Sequence, residues 1–129
     1  MQVETELMVD IELDLPMPIS TNAIWRSNRG HVHKSAKYKA WINEAQGLFL
    51  TQKRDLKKIP GRFHATIILN ESMMRSNRDL DNIKCVLDFA KSMEMIVDDS
   101  IKYMRQLLIK LGDDESSPTG CRLILRSVE

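Results

Sequence analysis

Acidic residues and a single lysine are concentrated in residues 78–88, Arg-Asp-Leu-Asp-Asn-Ile-Lys-Cys-Val-Leu-Asp. Asp79 and Asp81 stand two residues apart, Lys84 follows after one helical turn, and a second acidic pair, Asp98-Asp99, lies downstream. Carboxylate oxygens are the ligands that Mg²⁺ takes in proteins, and a lysine can bind phosphate as a point charge. The pattern therefore suggests a divalent metal held against a phosphodiester.

A helix in this region would give the same residues ordinary structural roles. The apolar positions Ile83, Val86, Leu87 and Ala90 predict an amphipathic helix that begins near Asp79–Asp81, where an aspartate commonly acts as the N-cap. One cap needs only one aspartate, so the other acids stay unexplained. Lys84 would share a helix face with Asp81 and Asp88, where a surface ion pair contributes only about 0.2–0.5 kcal/mol.

The downstream pair adds one further acid to such a cluster. Neighbouring side chains of an extended segment point to opposite faces, so only one of Asp98 and Asp99 is expected to join it. The residues themselves do not decide which of the two it is.

Positive charge is concentrated in one part of the chain, although the 129 residues together carry a net charge of only +1. Residues 1–25 contain five acids and no Lys or Arg, whereas residues 26–62 contain ten bases and two acids. A surplus of this size can mark a surface that binds a polyanion. A solvated basic face would explain it equally well.

The pattern of elements predicts a single α+β domain over residues 1–129, in the order β-α-β-α-β-β, with a small mixed sheet packed by helices. Strands are expected at 7–15, 62–69, 103–111 and 121–128, with a hairpin loop at 112–120 between the last two. A long basic loop occupies about 16–35, irregular over 23–33, and Ser35 can cap the first helix. Two distant cysteines and short apolar runs predict a cytoplasmic protein without disulfides or membrane spans.

Three separated motifs resemble the RusA-type Holliday junction resolvases. The run Leu-Pro-Met-Pro-Ile-Ser-Thr-Asn at 15–22 is similar to the opening of that family, and Asn28-Arg29-Gly30 with His33-Lys34-Ser35 continues it. Arg-Asp-Leu-Asp-Asn at 78–82 and Asp-Asp-Ser at 98–100 are similar to the acidic core. The chain has one residue fewer than the family usually has between Asn82 and Lys84.

This resemblance implies a fold, an activity and a site. It implies a RusA-like endodeoxyribonuclease of bacterial or phage origin that depends on Mg²⁺, with Mn²⁺ as the alternative metal, and resolves four-way DNA junctions by paired cuts in recombination and repair. The implied metal ligands are Asp79, Asp81 and Asp99, and Lys84 joins them as a catalytic residue. Paired cuts also imply a homodimer, for which Ser92–Ile96 and the helix before it are the predicted surface.

Basic residues around these motifs are the predicted contacts to DNA phosphates. They are Arg26, Arg29, His31, His33, Lys34, Lys37, Lys39, Arg75 and Arg78. Trp25 is expected either to pack against the domain or to wedge into a junction. Two alternatives stay open: a non-catalytic protein that binds branched or single-stranded DNA, and a metal nuclease that acts on other branched nucleic acids.

Overall fold

The structure, a computed structural model, describes residues 10–52 and 58–128. Within these ranges the chain forms six strands and two α-helices. In chain order they are β1 (Asp10–Pro16), β2 (Trp25–Asn28), β3 (His31–Lys34), α1 (Ala36–Gln52), β4 (Phe63–Asn70), α2 (Lys84–Ser92), β5 (Met104–Gly112) and β6 (Gly120–Ser127). This arrangement is a small α+β domain.

Four of the strands form a mixed sheet in the order β1-β6-β4-β5. The β1–β6 and β6–β4 pairs are antiparallel, while β4 and β5 run parallel and are connected through α2. A parallel pair needs such a crossover, because a tight turn reverses the direction of the chain and can therefore join only antiparallel strands. The predicted α+β architecture, a mixed sheet packed by helices, is therefore confirmed.

The core face of the sheet is built from apolar rows that cross the strands. Leu13, Leu123 and Ile67 lie side by side in register and are almost completely buried. Equivalent rows run through Ile11, Leu125 and Ala65 and through Leu15, Cys121 and Leu69. Because strand side chains alternate between faces, these rows place every second residue of the three strands on the same face.

The two helices cover this face with aromatic residues. Trp41 and Phe49 of α1 both contact Phe89 of α2 edge to face, with ring centroids 5.8 and 6.2 Å apart. Such a geometry suits the ring quadrupoles and adds to the burial of large apolar area. Tyr38 and Ala45 complete the buried stripe of α1.

The segment after β1 is fixed by side chains from distant elements. Trp41 donates from its indole Nε1 to the carbonyl of Met17 at 3.0 Å, and Thr119 donates its hydroxyl to the carbonyl of Leu15 at 2.8 Å. Gly120 lies opposite Pro16 with φ +125°, and a Cβ there would lie 2.4 Å from the backbone nitrogen of Met17. Only glycine allows this close approach of the two chain segments.

Several predicted elements differ from the structure. The predicted irregular loop at 23–33 is wrong, because most of it folds into the β2–β3 hairpin. The predicted hairpin between the last two strands is also wrong, since β4 lies between β5 and β6. The first predicted strand is seen from Asp10 onward, and residues 7–9 lie outside the described ranges.

The predicted dimer surface at Ser92–Ile96 is exposed at Ser92 and Glu94 but not at its last two residues. Met95 and Ile96 are almost fully inaccessible and belong to the main core. Ile96 also forms a bridge with Ile59, and the amide of Ile59 donates to the carbonyl of Met95 at 2.9 Å. No described helix is long and apolar enough to cross a membrane.

Candidate active site

Asp79 and Asp81 lie in the loop that leads from β4 to α2, and both are exposed. The predicted start of the helix near these residues is wrong, because α2 begins at Lys84 and its N-cap residue is Ile83, without a side-chain cap bond. Neither aspartate therefore caps the helix. In the described ranges neither side chain makes a hydrogen bond or ion pair, which leaves both carboxylates available to a ligand.

Lys84 lies between two carboxylates that come from different elements. Its Nζ is 3.3 Å from Oδ1 of Asp88, one turn later in α2, and 3.6 Å from Oδ2 of Asp99 in the segment before β5. Burial lowers the pKa of Lys84, but the hydrogen bonds and attraction to Asp88 and Asp99 outweigh it, so the net pKa is raised. The lysine is therefore a permanent cation at neutral pH.

The side chain of Asp98 does not join Lys84, Asp88 and Asp99. Its carboxylate forms an ion pair with Lys91 at 2.9 Å, and hydrogen bonds from Lys91 and Ser100 lower the pKa of Asp98 to about 2. The same pair raises the pKa of Lys91. The structure thus separates the two neighbouring acids: Asp99 faces Lys84, while Asp98 pairs with Lys91.

The structure does not gather the three predicted metal ligands into one group. No cluster of three or more His, Cys, Asp or Glu able to hold a metal is present in the described residues. The donor chemistry nevertheless fits Mg²⁺, because this ion is commonly bound through one or two carboxylates and completes its shell with water and phosphate oxygens. Asp79 and Asp81 would supply such a pair, and Asp99 as a third ligand stays a prediction.

The loop between β4 and α2 that carries Asp79 and Asp81, here called the acidic loop, is attached to the proline-rich segment 16–24. Arg78 donates from Nη2 to the carbonyls of Pro18 and Asn82, the latter at 3.1 Å, and Asn82 accepts from the amide of Thr21 at 3.3 Å. Arg78, predicted to contact phosphate, is half-buried, and in the described part of the chain its Nε has no hydrogen-bond partner. Its observed role is to hold the two segments together.

A surface cleft of about 310 Å³ lies beside this attachment. Its lining is mostly polar or basic and combines residues of the proline-rich segment with residues of the acidic loop. It includes Ser20, Arg75, Asn77, Arg78 and Asn82. Arg75 is exposed at this cleft, in keeping with the predicted phosphate contact beside the acids.

The β2–β3 hairpin displays most of the predicted basic contacts. Every residue of both strands is exposed, and Arg29 and Gly30 form a two-residue turn with φ values of 52° and 83°. Positive φ at both central positions defines a type I′ turn, whose twist matches the strands. Arg26, Arg29, His31, His33 and Lys34 are therefore presented to solvent, while Lys37 and Lys39 are exposed in the first turns of α1.

The base of the hairpin contacts Tyr38 of α1, which lies near Asp88, the acidic residue of α2. Trp25 contacts the ring of Tyr38 edge to face at 6.2 Å, and Nζ of Lys34 lies 5.9 Å from the same ring. Burial raises the pKa of Tyr38, and the carboxylate of Asp88 raises it further. Tyr38 is thus a neighbour both of the hairpin and of the carboxylate that pairs with Lys84.

Two features of this region are not evident from the sequence. The hairpin lacks the alternation of apolar and polar residues that marks a half-buried strand, because neither of its faces is buried. Its only local signal is Gly30 after Arg29, and arginine is an unusual residue for positive φ. The contact of Arg78 with the proline-rich segment depends on the carbonyl group of Pro18, 60 positions away, for which no local pattern exists.

Comparisons with models of protein families and with curated proteins found no match.

Proposed function

We propose that this protein is a Mg²⁺-dependent endodeoxyribonuclease that resolves four-way DNA junctions, as the resemblance of its motifs to the RusA-type resolvases implies. The observation that best supports the proposal is that the carboxylates of Asp79 and Asp81 are exposed and that neither of them caps a helix. Their loop is attached to the segment that leads into the basic hairpin. Both carboxylates are exposed, so they can bind a hard cation such as Mg²⁺ without breaking an existing contact.

The chain's own residues would divide the work between holding the metal and holding the DNA. Asp79, Asp81 and Asp99 would be the carboxylate ligands, and a bound Mg²⁺ supplies an activated water and neutralises charge on the leaving oxygen. Lys84 would hold the phosphate next to these ligands as a fixed cation. Asp88 would keep Lys84 protonated and oriented. Both residues belong to α2, so their ion pair does not depend on the movement of another element.

Asp99 would exchange its ion pair with Lys84 for contact with the metal in this scheme. Its carboxylate lies 3.6 Å from Lys84 and already faces a cation. Movement of the Lys84 ammonium toward a phosphate would release Asp99 toward the metal. Such a rearrangement involves only exposed or half-exposed side chains and leaves the buried core unchanged.

A non-catalytic protein that binds branched or single-stranded DNA is the second candidate. The pairing of Asp99 with Lys84 favours it, because a neutralised pair has no need of a metal. A metal nuclease that acts on flaps, forks or RNA would use the same ligands and differs only in its substrate.

Gel analysis of a synthetic four-way junction with and without Mg²⁺ tests the proposal. We expect symmetric nicks in opposing strands that require Mg²⁺ or Mn²⁺. Asp79→Asn and Asp81→Asn should each lower the cleavage rate by at least about a hundredfold, because each removes a metal ligand. Binding to the junction should persist, since it depends on the basic surface.

Glu115→Gln is the matched control, because Glu115 is an exposed acid in the turn after β5. It should cut at the rate of the unmodified protein. Cleavage at the normal rate by Asp79→Asn and Asp81→Asn would refute the metal site. Tight junction binding without any cleavage would favour the non-catalytic alternative.

A further inference from the structure

The two faces of the β2–β3 hairpin differ in the kinds of side chain that they carry. Directly opposed residues of an antiparallel pair lie on the same face, and side chains alternate between the faces along each strand. The register gives one face, here called the inner face, the residues Trp25, Ser27, Val32 and Lys34. The opposite face, here called the outer face, has hydrogen-bonding side chains at every position, namely Arg26, Asn28, His31 and His33.

Contacts with α1 show how the two faces are directed. The rings of Trp25 and Tyr38 meet edge to face with centroids 6.2 Å apart, and Nζ of Lys34 lies 5.9 Å from the centroid of the Tyr38 ring. The inner face is therefore turned toward α1 at the base of the hairpin. The outer face is directed away from α1, and all of its residues are exposed. A macromolecule can thus approach the outer face without displacing the helix.

Three side chains of the outer face have no partner within the described ranges. Those of Asn28, His31 and His33 make no hydrogen bond or ion pair with another described residue. Arg26 instead donates from Nη1 to the carbonyls of Asn22 and Trp25, at 3.3 and 3.0 Å, and so is held at the base of the hairpin. An amide side chain offers both donors and an acceptor. The part of the outer face near the turn is therefore available to an external hydrogen-bonding partner.

The charge of the hairpin favours a polyanion as that partner. No Asp or Glu lies between Asp14 and Glu44, and the hairpin carries Arg26, Arg29 and Lys34. Such bases bind the phosphates of DNA without regard to sequence. Asn28 adds a different capacity, because an uncharged amide gains little from a phosphate but matches the N6 and N7 positions of adenine.

The dimensions of the hairpin suit the major groove of duplex DNA. That groove is about 12 Å wide and admits a two-stranded ribbon, whose strands lie only about 4.8 Å apart. Residues that follow each other on one face of a strand are about 6.6 Å apart, close to the roughly 6.8 Å spanned by two base-pair steps. The ribbon can therefore lie in the groove with its outer face toward the base edges.

We infer that the outer face of the hairpin enters the major groove of a DNA arm and reads base edges there, with Asn28 bonded to N6 and N7 of an adenine. His31, directly opposite Asn28, contacts the neighbouring base pair, while Arg29 and Lys34 contact phosphates at the sides of the groove. The hairpin then selects sequence as well as providing affinity. The inference rests on the proposed function for its DNA substrate, and it adds the residue that selects where the protein binds.

Selection of bound junctions tests whether the hairpin reads sequence. The probe is a synthetic four-way junction with randomised base pairs next to the crossover, bound to the full chain in Ca²⁺. We expect adenine to be enriched at one position by at least about fivefold, the least that a bidentate base contact provides. Asn28→Ala should lose this enrichment. Ser27→Ala is the matched control and should keep it, because Ser27 is exposed on the inner face of the same strand.

Replacement of the selected adenine by 7-deazaadenine tests the contact itself. The analogue still pairs with thymine but lacks the N7 acceptor in the major groove. It should weaken binding of the unmodified protein and of Ser27→Ala by at least about twofold, because one hydrogen bond is lost. Binding of Asn28→Ala should not respond to the analogue. Its slope of log affinity against log salt should also be unchanged, since Asn28 carries no charge. Fluorescence anisotropy measures both quantities.

Absence of an enriched adenine, or enrichment that survives Asn28→Ala, would overturn the inference. Equal responses of Asn28→Ala and the unmodified protein to 7-deazaadenine would do the same. Both assays measure binding and are independent of cleavage. Sequence-selective binding by a protein that never cuts DNA would refute only the proposed nuclease. Mg²⁺-dependent paired nicks without selection by Asn28 would refute only the role of the hairpin in reading bases.

Discussion

At the scale of single residues, the neighbouring aspartates 98 and 99 have different surroundings. Asp98 is held by Lys91 and Ser100, whereas Asp99 faces Lys84 across 3.6 Å. The chain bends at Asp99 and Ser100 instead of forming a strand, and the two side chains meet lysines at different positions of α2. The residue that the resemblance implies as the third ligand is thus also the one that lies near the proposed phosphate-binding lysine.

Asp99→Asn and Asp98→Asn form a matched pair of variants. We expect Asp99→Asn to lower Mg²⁺-dependent junction cleavage by at least about a hundredfold, because it removes a proposed ligand. Asp98→Asn should leave cleavage within about threefold and lose only an exposed ion pair, which contributes little to stability. The readout is the single-turnover cleavage rate of a labelled junction. Equal losses in both variants would contradict the assignment.

At the scale of elements, the hairpin and α1 meet at Ser35. The buried hydroxyl of Ser35 donates to the carbonyl of Ala23 and accepts from the amide of Tyr38 at 3.0 Å, while its own amide donates to Ile24 at 2.9 Å. The predicted cap is therefore confirmed. It also fixes the base of the hairpin, so one serine sets the position of the basic surface relative to the helix.

Ser35→Ala should lower the free energy of unfolding by about 1–2 kcal/mol, since it removes the cap and leaves the partly buried carbonyl of Ala23 without its donor. Urea denaturation followed by circular dichroism measures the change. Ser27→Ala, at an exposed position of β2, serves as the control and should shift stability by less than about 0.5 kcal/mol. A Ser35→Ala variant as stable as the control would exclude this role.

The hairpin itself should contribute electrostatic affinity for DNA. Each of Arg26→Gln, Arg29→Gln and Lys34→Gln should weaken junction binding and lower the slope of log affinity against log salt by about one. Gel shifts in Ca²⁺ at several salt concentrations measure the slope without cleavage. Arg126→Gln is the control, because Arg126 follows the buried Leu125 and lies on the opposite face of the sheet. An equal effect of the control would mean that binding is not localised to the hairpin.

At the scale of the whole molecule, long-range polar contacts join the ends of β4 and β5. Asp114 accepts from Nδ2 of the buried Asn70 at 2.8 Å and from the hydroxyl of Ser72 at 2.9 Å. These hydrogen bonds lower the pKa of Asp114. They attach the acidic turn that follows β5 to the start of the loop that carries Asp79 and Asp81.

Asp114→Ala should be less stable than the unmodified protein at neutral pH, and the difference should shrink in acid. The folded state holds the pKa of Asp114 below its unfolded value of about 3.9, so the contribution is complete above that pH. It is lost as the pH falls through the lower folded pKa. Urea midpoints of both proteins at about pH 7 and about pH 2 test this. A difference that stays constant with pH would contradict it.

The sequence by itself determined the elements with buried faces and the types of residues in the site. Strands β1, β4 and β6 and the helix after Ser35 were predictable because one buried face imposes a period on the apolar residues. Local chemistry likewise identified Asp79, Asp81 and Lys84 as candidates, and only the resemblance distinguished Asp99 from its neighbour Asp98. The β2–β3 hairpin escaped prediction, since a strand exposed on both faces carries no such period.

Only the tertiary structure decided how these parts are combined. The sequence could not show that β4 separates β5 from β6, because strand order depends on which edges pair after the chain has crossed over α2. It also could not show that Lys84 forms an ion pair with Asp99, or that Arg78 donates a hydrogen bond to the carbonyl of Pro18 instead of facing solvent. These contacts join residues 15 and 60 positions apart, and their energies depend on the fold that brings them together.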